Sequence, residues 1–365
     1  MGISIGIVGL PNVGKSTLFN ALTKKGVPAA NYPFCTIDPS VGVVAVPDER
    51  LALLTTFSKS AKTIPAAIEF VDIAGLVKGA SEGQGLGNAF LSHIREVTAI
   101  AEVVRIFEDN DIIHVEGGIN PLRDIEIINL ELVLSDLQTV SKRRANIKSD
   151  IKKGDKKAVI EEGVLSRLET ALENGKLAST VTPTEEEAPM VRQLNLLTTK
   201  RILYVLNKKA GAKNLDEMND ERYQKLIAFF KEQNAHYVVV DARIEDELKE
   251  MVGEEKETFR KEFGSHDDGI NALIKGGYEL LDLISYFTTG EDETRAWTIP
   301  RNSTAPEAGT AIHTDFKEKF IRAEVIHYKQ LLDAGSYAKA RELGQVRIEG
   351  KEYIVKDGDV IEFRI

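Results

Sequence analysis

The fold is indicated most clearly by Gly9-Leu10-Pro11-Asn12-Val13-Gly14-Lys15-Ser16, whose spacing of glycines, lysine and serine is that of a phosphate-binding loop. The apolar run at residues 4–8 before it has strand length, and residues 17–22 after it have the apolar spacing of a helix. Backbone N–H groups of such a loop and the positive end of its helix converge on an anion. We therefore predict a nucleoside triphosphate site made of Asn12, Val13, Gly14, Lys15, Ser16 and Thr17. The alternative is a tight strand-to-helix turn with a surface lysine.

The composition is that of an ordinary globular protein, with 42% apolar and 28% charged residues in a chain of 365. This length predicts two or three domains. Apolar runs stay far below the ~20 residues that span a bilayer, and a signal peptide before the first strand is not expected. Cys35 is the only cysteine, so no intrachain disulfide is expected. We predict a cytoplasmic location and no membrane partner. The net charge of −10 argues against a uniformly basic surface and a DNA partner, but not against a local basic patch.

Strand-like apolar runs recur along the chain and alternate with helical patterns. They fall at residues 4–8, 42–46, 68–73, 102–107, 201–206 and 236–240. This alternation predicts an α/β fold with a doubly wound, mostly parallel sheet, whose ligands bind at the carboxyl ends of the strands. We assign residues 1–121 and 201–280 to this phosphate-binding-loop (P-loop) NTPase domain.

Residues 122–200 interrupt the alternation and have helical spacing on both sides of a turn at residues 153–156. Leu130, Leu134 and Leu137, then Ile147 and Ile151, mark the apolar face of the first helix. We predict a long antiparallel helical hairpin that is inserted into the sheet domain as an arm. Beyond Thr182-Pro183-Thr184, the capping-box spacing of Thr184 and Glu187 predicts a further helix that starts at Glu185, although Pro189 opposes it.

The predicted arm carries a cluster of eight basic side chains, opposed by Asp150 and Asp155 alone between residues 138 and 157. The cluster consists of Lys142, Arg143, Arg144, Lys148, Lys152, Lys153, Lys156 and Lys157. One interpretation is a solvated helix face. The other is a surface that contacts RNA phosphates, without base stacking because no aromatic residue is interleaved.

Residues 281–365 are predicted to form a small mixed α+β domain. Residues 295–300 have a strand pattern, and a short helix is expected from Asp315 to Phe320. Residues 353–355 and 360–363 flank Asp357-Gly358 and predict a β-hairpin. The segment holds no catalytic constellation, so a binding module is expected.

Candidate metal and γ-phosphate ligands follow the phosphate-binding loop in chain order. Asp72 ends a buried strand and is predicted to be a direct or second-shell Mg²⁺ ligand, together with the hydroxyls of Ser16 and Thr36. Gly75 leaves its N–H free to approach a γ-phosphate. The plain alternatives are a strand-terminating turn at Asp72 and a loop-lining role for Thr36.

Hydrolysis is expected to be slow, or to depend on an additional group. Leu76 occupies the position at which small GTP-hydrolysing proteins often carry a glutamine that orients the attacking water. The candidate groups are a partner's residue, a K⁺ ion bound by Asn12, and a histidine. His114 is the first candidate and the more distant His93 the second. The alternatives are that Asn12 only shapes the loop and that His114 is structural.

The base is expected to be read by Asn207-Lys208-Lys209-Ala210. Guanine recognition commonly uses Asn-Lys-x-Asp, and Ala210 replaces the aspartate. Asn207 can hydrogen-bond an adenine edge, and Lys208 can lay its stem along the base plane. Phe107 and Ala242 end other strand runs and are predicted to line the base, with ordinary strand-end packing as the alternative. We expect ATP to be preferred over GTP.

Taken together, several stretches resemble the Obg-like ATPase family of TRAFAC-class P-loop NTPases, whose bacterial members are called YchF. The resemblance runs over nearly the whole chain. Beside the loop at residues 9–17, it is carried by residues 31–36, 72–80, 85–91, 295–300, 312–316 and 353–359. It implies an NTPase domain, a helical arm and a C-terminal ubiquitin-like (β-grasp) module of the TGS type. It further implies ATP preference, weak hydrolysis, ribosome association and Mg²⁺ bound through Ser16 and Thr36. Family members usually carry an acidic residue at the position of Ala210 and a different residue at that of Lys208.

The expected function is an ATP-binding, slowly hydrolysing switch that regulates translation or a stress response. It would contact the ribosome or ribosomal RNA through the basic arm and the TGS domain. Two alternatives remain: a GTP-specific switch of the same fold, and a nucleotide-regulated binding protein whose hydrolysis is incidental.

Overall fold

The computed structural model describes residues 3–23, 38, 40–73, 87–109, 118–248, 251, 255, 258–259 and 268–365. Its described residues form two compact units. The first lies within Met1–Lys24, Asp38–Gly42 and Glu69–Leu273, and the second within Val43–Ile68 and Ile274–Ile365. The helical arm thus belongs to the first unit, and residues 43–68 group with the C-terminal residues.

Fourteen strands and thirteen α-helices can be assigned within the described ranges. The strands are β1 (Ser4–Val8), β2 (Val41–Ala45), β3 (Lys62–Ile64), β4 (Ala67–Asp72), β5 (Ala99–Arg105), β6 (Phe107–Glu108), β7 (Arg201–Asn207), β8 (Lys213–Asn214), β9 (His236–Val240), β10 (Leu283–Thr289), β11 (Glu293–Pro300), β12 (Arg322–His327), β13 (Arg347–Glu349) and β14 (Asp359–Arg364). The helices are α1 (Lys15–Thr23), α2 (Glu49–Ser58), α3 (Asn88–Glu96), α4 (Pro121–Lys152), α5 (Lys156–Glu173), α6 (Ala188–Leu194), α7 (Glu221–Glu232), α8 (Ala242–Glu247), α9 (Gly269–Leu280), α10 (Ala305–Gly309), α11 (Asp315–Lys319), α12 (Tyr328–Ala334) and α13 (Tyr337–Glu342). None of them is long and apolar enough to cross a bilayer.

The sheet of the first unit has the strand order β2-β4-β1-β5-β7-β9. The pairs of β1 with β4 and β5, of β5 with β7 and of β7 with β9 are parallel. Strand β1 and all seven positions of β5 are buried, as central parallel strands covered on both faces require. The predicted α/β, doubly wound, mostly parallel fold is confirmed.

The predicted helical hairpin is formed by α4 and α5. Gly154, at φ 81°, lies in the turn between them, and the Asp155 side chain caps the start of α5. Val140, Ile147 and Val164 belong to the buried cluster between the helices. The predicted apolar face was partly wrong. The side chains at its N-terminal end are exposed, because the buried stripe passes through neighbouring positions of the same turns; these exposed residues are Leu130 (54%) and Leu134 (49%).

Part of the basic cluster of the arm is neutralised across the hairpin. Arg143 forms an ion pair with Glu161 at 2.6 Å, and Arg144 pairs with Glu162 and Glu169. Within the turn, Lys153 pairs with its neighbour Asp150. The remaining basic residues are exposed and form no ion pair in the described part of the chain: Lys142, Lys148, Lys152, Lys156 and Lys157.

The helix expected from Glu185 begins at Ala188 instead. The reciprocal capping bonds do form, from the Thr184 N–H to Glu187 Oε2 at 2.8 Å and from the Glu187 N–H to Thr184 Oγ1 at 3.4 Å. They close a turn that precedes α6. Pro189 then occupies the first turn of the helix, where a missing N–H costs nothing.

The sheet of the second unit has the strand order β13-β12-β14-β10-β11-β3. Strand β12 pairs antiparallel with β13 and β14, β10 pairs antiparallel with β11, and β14 pairs parallel with β10. Tyr286, Val325 and Ile361 lie in its core. The short helix predicted from Asp315 is present as α11.

The hairpin predicted around Asp357-Gly358 was wrong. Residues 353–355 form no strand, and β14 pairs with β12 and β10 instead. The turn itself forms, with the Asp359 N–H donating to the Lys356 carbonyl at 3.1 Å, but the segment before it makes tertiary contacts instead of a strand. The Asp357 carboxylate accepts the Ser285 N–H at 3.0 Å and forms an ion pair with Arg50 at 2.7 Å. The Tyr353 hydroxyl donates to Asp359 at 2.7 Å.

Candidate nucleotide-binding site

The loop between β1 and α1 has a backbone that its glycines make possible. Gly9 (φ 150°), Asn12 (φ 63°) and Gly14 (φ 101°) have positive φ. A Cβ on Gly9 would lie 2.6 Å from the Val103 carbonyl oxygen, and one on Gly14 would lie 2.2 Å from Asn207 Nδ2. The loop therefore packs against the ends of β5 and β7 too closely for any other residue at these two positions.

Lys15 opens α1 and points back over the loop, where its Nζ donates to the Leu10 carbonyl at 2.7 Å. Burial lowers the pKa of the Lys15 ammonium to about 8, and the nearby Asp72 carboxylate opposes that shift. A phosphate group at the loop would favour the charged form further. The side chain thus has the position and the charge that a phosphate ligand requires.

Oxygen donors that suit Mg²⁺ lie beside this lysine. Asp72 ends β4 with 7% of its surface exposed, and its charge acts on Lys15. The side chain of Ser16 is exposed in the first turn of α1. A carboxylate and a hydroxyl are hard oxygen ligands that suit Mg²⁺, whose remaining coordination positions would be filled by phosphate oxygens. The other residues predicted here, Thr36 and Gly75, lie outside the described residues.

A cavity of about 290 Å³ extends from the loop toward the ends of β7 and β9. It is lined by Asn12, Gly14, Thr17, Phe107, Asn207, Lys208, Lys209, Ala242 and Arg243. The structure thus brings together seven of the residues predicted for the nucleotide. Lys209, which lies within the predicted base-reading stretch, also lines the cavity. Arg243 was not assigned to the site, although it directly follows the predicted Ala242.

Asn207 has a different task from the adenine contact expected of it. Its Nδ2 donates to the Val13 carbonyl at 2.8 Å, and its Oδ1 accepts the Ala242 N–H at 3.0 Å. With 5% of its surface exposed, the side chain ties the phosphate-binding loop to the start of α8. Spacing along the chain gives no signal for such a link, because its three parts are far apart in sequence.

Ala210 is held by a carboxylate from the next strand end. Its N–H donates to Asp241 Oδ2 at 2.6 Å, while Asp241 Oδ1 caps α8 through the N–H groups of Arg243 and Ile244. Burial raises the pKa of Asp241, and these hydrogen bonds oppose the shift. Both oxygens of Asp241 are therefore engaged with backbone N–H groups.

A two-stranded ribbon forms the wall of the cavity around Phe107. Strands β6 and β8 pair through Phe107 and Asn214. The Asn214 side chain accepts the Lys209 N–H and donates to the Lys209 carbonyl, both at 3.0 Å. Lys209 also forms an ion pair with Asp109. We call these residues, Phe107, Asp109, Lys209 and Asn214, the base-side wall.

Of the two candidate histidines, only His93 lies within the described residues. His93 lies on α3, where its Nδ1 is 3.5 Å from a carboxylate oxygen of Glu96. His114 lies outside the described residues, as does Leu76.

A strand–glycine loop–helix unit on a parallel sheet, with a lysine and hard oxygen ligands at the loop, defines the class of P-loop NTPases. Comparisons with known protein families narrow this class further. A family model described as "50S ribosome-binding GTPase" matches residues 4–147, and the C-terminal model of the YchF GTPases, described as a protein of unknown function, matches residues 283–365.

Full-length relatives agree with these matches. The Ribosome-binding ATPase YchF of Bacillus subtilis is 53% identical and that of Escherichia coli O157:H7 is 48% identical, each over 100% of this chain and 99% of the relative. The solved structure of the Schizosaccharomyces pombe YchF GTPase superposes with a TM-score of 0.88 at 36% identity, covering 100% of this chain and 98% of that one. The chain belongs to the YchF family.

Proposed function

We propose that this protein is an ATP-hydrolysing P-loop switch that associates with the ribosome. The phosphate-binding loop with Lys15 beside Asp72 carries the proposal. It combines a partly buried cation, the N-terminus of a helix and a buried carboxylate, which are the groups that bind a phosphate and its Mg²⁺. The relatives named as ribosome-binding ATPases support both parts of it. We further propose the division into an NTPase domain (1–121 and 201–280), an arm (122–200) and a TGS domain (281–365), and a cytoplasmic location.

The preference for ATP rests on the surroundings of Ala210. A guanine edge is commonly read by a carboxylate at this position, which here bears a methyl group. The neighbouring Asp241 is already engaged in the fold, because its two oxygens accept three backbone N–H groups. A site without a free carboxylate has no strong means to select guanine. The alternative, a GTP-specific switch, is favoured by the description of the fission yeast structure as a GTPase.

Mg²⁺ would be bound by Ser16, with Asp72 directly or through water, and by Thr36. When bound, the ion neutralises charge on the phosphates. Lys15 contributes a positive charge from the start of α1, whose N-terminal N–H groups face the same place. Asn207 holds the loop at its Val13 carbonyl, so these donors are positioned before the nucleotide arrives.

Turnover is proposed to be slow, since Leu76 cannot orient water. His114 is the candidate that would compensate, and a K⁺ ion at Asn12 is the second. His114→Ala should slow turnover and leave ATP affinity unchanged. His93→Ala tests the second candidate histidine in the same way, and Lys225→Ala, on α7, serves as the control. Equal hydrolysis rates in potassium and sodium buffers would reject the role of K⁺.

Calorimetry tests the nucleotide part of the proposal. Full-length protein with Mg²⁺ should bind ATP more tightly than GTP, and Lys15→Ala should abolish binding of both. Lys225→Ala, at an exposed lysine on α7, serves as the control. A clear GTP preference would establish the alternative switch, and absence of heat with either nucleotide would refute the site.

Cosedimentation at several salt concentrations tests the ribosome part. The exposed lysines near the end of the arm are proposed to contact RNA phosphates. Replacing Lys148, Lys152, Lys156 and Lys157 by alanine should weaken binding and flatten the salt dependence, by roughly 0.7–0.9 in log–log slope for each lost contact. Lys225→Ala together with Lys231→Ala, on α7, should leave the slope unchanged.

A further inference from the structure

The end of β5 buries a positive charge that the nucleotide site does not itself use. Arg105 has 1% of its surface exposed. A guanidinium taken out of water needs hydrogen bonds and counter-charges inside the protein. Its partners therefore show what the residue holds in place.

Two of these partners are backbone carbonyls of the base-side wall. Arg105 Nε donates to the Phe107 carbonyl at 3.0 Å, and its Nη2 donates to the Asp109 carbonyl at 3.1 Å. The guanidinium carbon also lies 4.5 Å from the centroid of the Phe107 ring. Arg105 thus fixes both the backbone and the ring at the point where the wall meets the cavity.

The positive charge of Arg105 also interacts with the first turn of the arm. Asp124 lies in the first turn of α4 with 3% of its surface exposed. Burial lowers the pKa of Arg105, and the carboxylates of Asp109 and Asp124 oppose that shift. Ile125, the next residue of α4, packs with Val104 and Ile106, which flank Arg105. Electrostatics and packing therefore join the start of the arm to the same short segment.

A second buried acid, Glu102, does not take over this role. It is fully buried on β5, and neither of its carboxylate oxygens has a hydrogen-bond partner in the described part of the chain. Burial and the neighbouring Asp124 raise the pKa of Glu102 well above its ordinary value. Burial and a like charge thus disfavour the charged form of Glu102, whereas the carboxylates of Asp109 and Asp124 act on Arg105.

We propose that Arg105 is a positioning residue for the nucleotide base, which holds the base-side wall through the Phe107 and Asp109 carbonyls, and that Asp124 makes the first turn of the arm part of this support. The inference rests on the proposed function, since it concerns the base end of the same site. It assigns no contact between Arg105 and the phosphates. Its consequence is that the arm and the base pocket are energetically linked.

The test separates base binding from phosphate binding by using a ligand without a base. Calorimetry compares Mg·ATP with Mg·tripolyphosphate on the full chain. Arg105→Met, of similar length but neutral, should weaken ATP binding about tenfold, the usual effect of losing charge-assisted hydrogen bonds. Tripolyphosphate affinity should stay within about twofold. Arg105→Lys keeps the charge but lacks the planar fork whose Nε and Nη2 donate to the two carbonyls, so it should show the same selective loss. It decides the matter if the methionine variant does not fold.

The role of the arm has a matched control on the same helix. Asp124→Asn should weaken ATP binding several-fold without affecting tripolyphosphate. Asp136→Asn removes an equally buried carboxylate of α4, which binds the N–H groups of Leu197 and Thr198, and should leave both affinities unchanged. Thermal unfolding of each variant reports general destabilisation separately.

Two results would overturn the inference: wild-type ATP affinity in both Arg105 variants, or an equal loss for ATP and tripolyphosphate. Equal ATP affinities of the Asp124 and Asp136 variants would remove the link to the arm. Failure of the wild-type protein to bind Mg·ATP would instead refute the proposed function, so the two failures remain distinguishable.

Discussion

Replacing Asn207 by alanine should damage both the stability of the first unit and its nucleotide affinity. The side chain makes two buried hydrogen bonds, to the Val13 carbonyl and from the Ala242 N–H. Its loss leaves a buried acceptor and a buried donor unpaired, at ~1–3 kcal/mol each. We expect the free energy of unfolding to fall by about 3 kcal/mol.

The effect on nucleotide affinity follows from the segment that the Asn207 side chain holds in place. Val13 and Gly14 form the phosphate-binding loop, so without the Nδ2 donor the loop must be ordered by the ligand itself. About 1.4 kcal/mol of ordering cost would raise the dissociation constant for Mg·ATP about tenfold. Asn207→Asp separates the two bonds, because it keeps an acceptor for the Ala242 N–H but places a carboxylate oxygen against the Val13 carbonyl.

Thr198→Val is the matched control for this variant. The Thr198 hydroxyl also makes two buried hydrogen bonds, to Asp136 Oδ2 at 2.7 Å and from the Ala178 N–H at 2.9 Å, but at the root of the arm. Urea unfolding should show similar losses for both variants, and calorimetry should show weaker ATP binding only for Asn207→Ala. Wild-type ATP affinity in Asn207→Ala would refute the reasoning and leave the residue a purely structural role.

Three further outcomes are expected. Since the pKa of Lys15 is about 8 in the free protein and a bound phosphate favours the ammonium, ATP affinity should fall about tenfold per pH unit above pH 8 in calorimetric titrations, and Lys15→Arg should remove that slope. Burial in the folded protein raises the pKa of Glu102 above its ordinary value of 4.5, so the free-energy cost of burying this carboxyl group grows as pH rises. Glu102→Gln should therefore stabilise the protein against urea more at about pH 8 than at about pH 5, and equal gains at the two pH values would contradict this. Gly14→Ala, whose Cβ would meet Asn207 Nδ2 at 2.2 Å, should lose ATP binding, whereas Gly163→Ala, with open space in α5, should raise the melting temperature.

The lining of the candidate cavity was largely predictable because the rules that place it are local. The loop motif fixes its own conformation, and strands of a parallel sheet end at one edge, so Phe107, Lys208 and Ala242 could be assigned to one cavity before their contacts were known. The links between those ends were not predictable. Asn207 reaches Val13 and Ala242 through side-chain directions that depend on the packing of three separate segments.

The ion pairs of the arm were also missed from the sequence, although the predicted hairpin turn could have indicated them. Counting charges along one stretch left Arg143 and Arg144 unopposed, whereas the structure pairs them with acids of α5. A hairpin brings residues at similar distances from its turn together, and the turn at Gly154 was predicted. Folding the sequence at that point already places Glu161 and Glu162 near the two arginines. Within the described residues, the basic side chains of the cluster without an ion pair are those of Lys142, Lys148, Lys152, Lys156 and Lys157.

Arg105 and Glu102 illustrate how topology can turn composition into a functional hypothesis. Charged residues are usually assigned to the surface, but β5 is a central parallel strand and is buried at every position. Any charge in such a strand must find internal partners or become neutral, and the two residues take one course each: Arg105 binds carbonyls of the base-side wall, while burial raises the pKa of Glu102. Such a strand ends at the ligand edge of the sheet, so a charge near its carboxyl end is well placed to support the ligand. Strand order, rather than motif, is therefore the information that singles out Arg105.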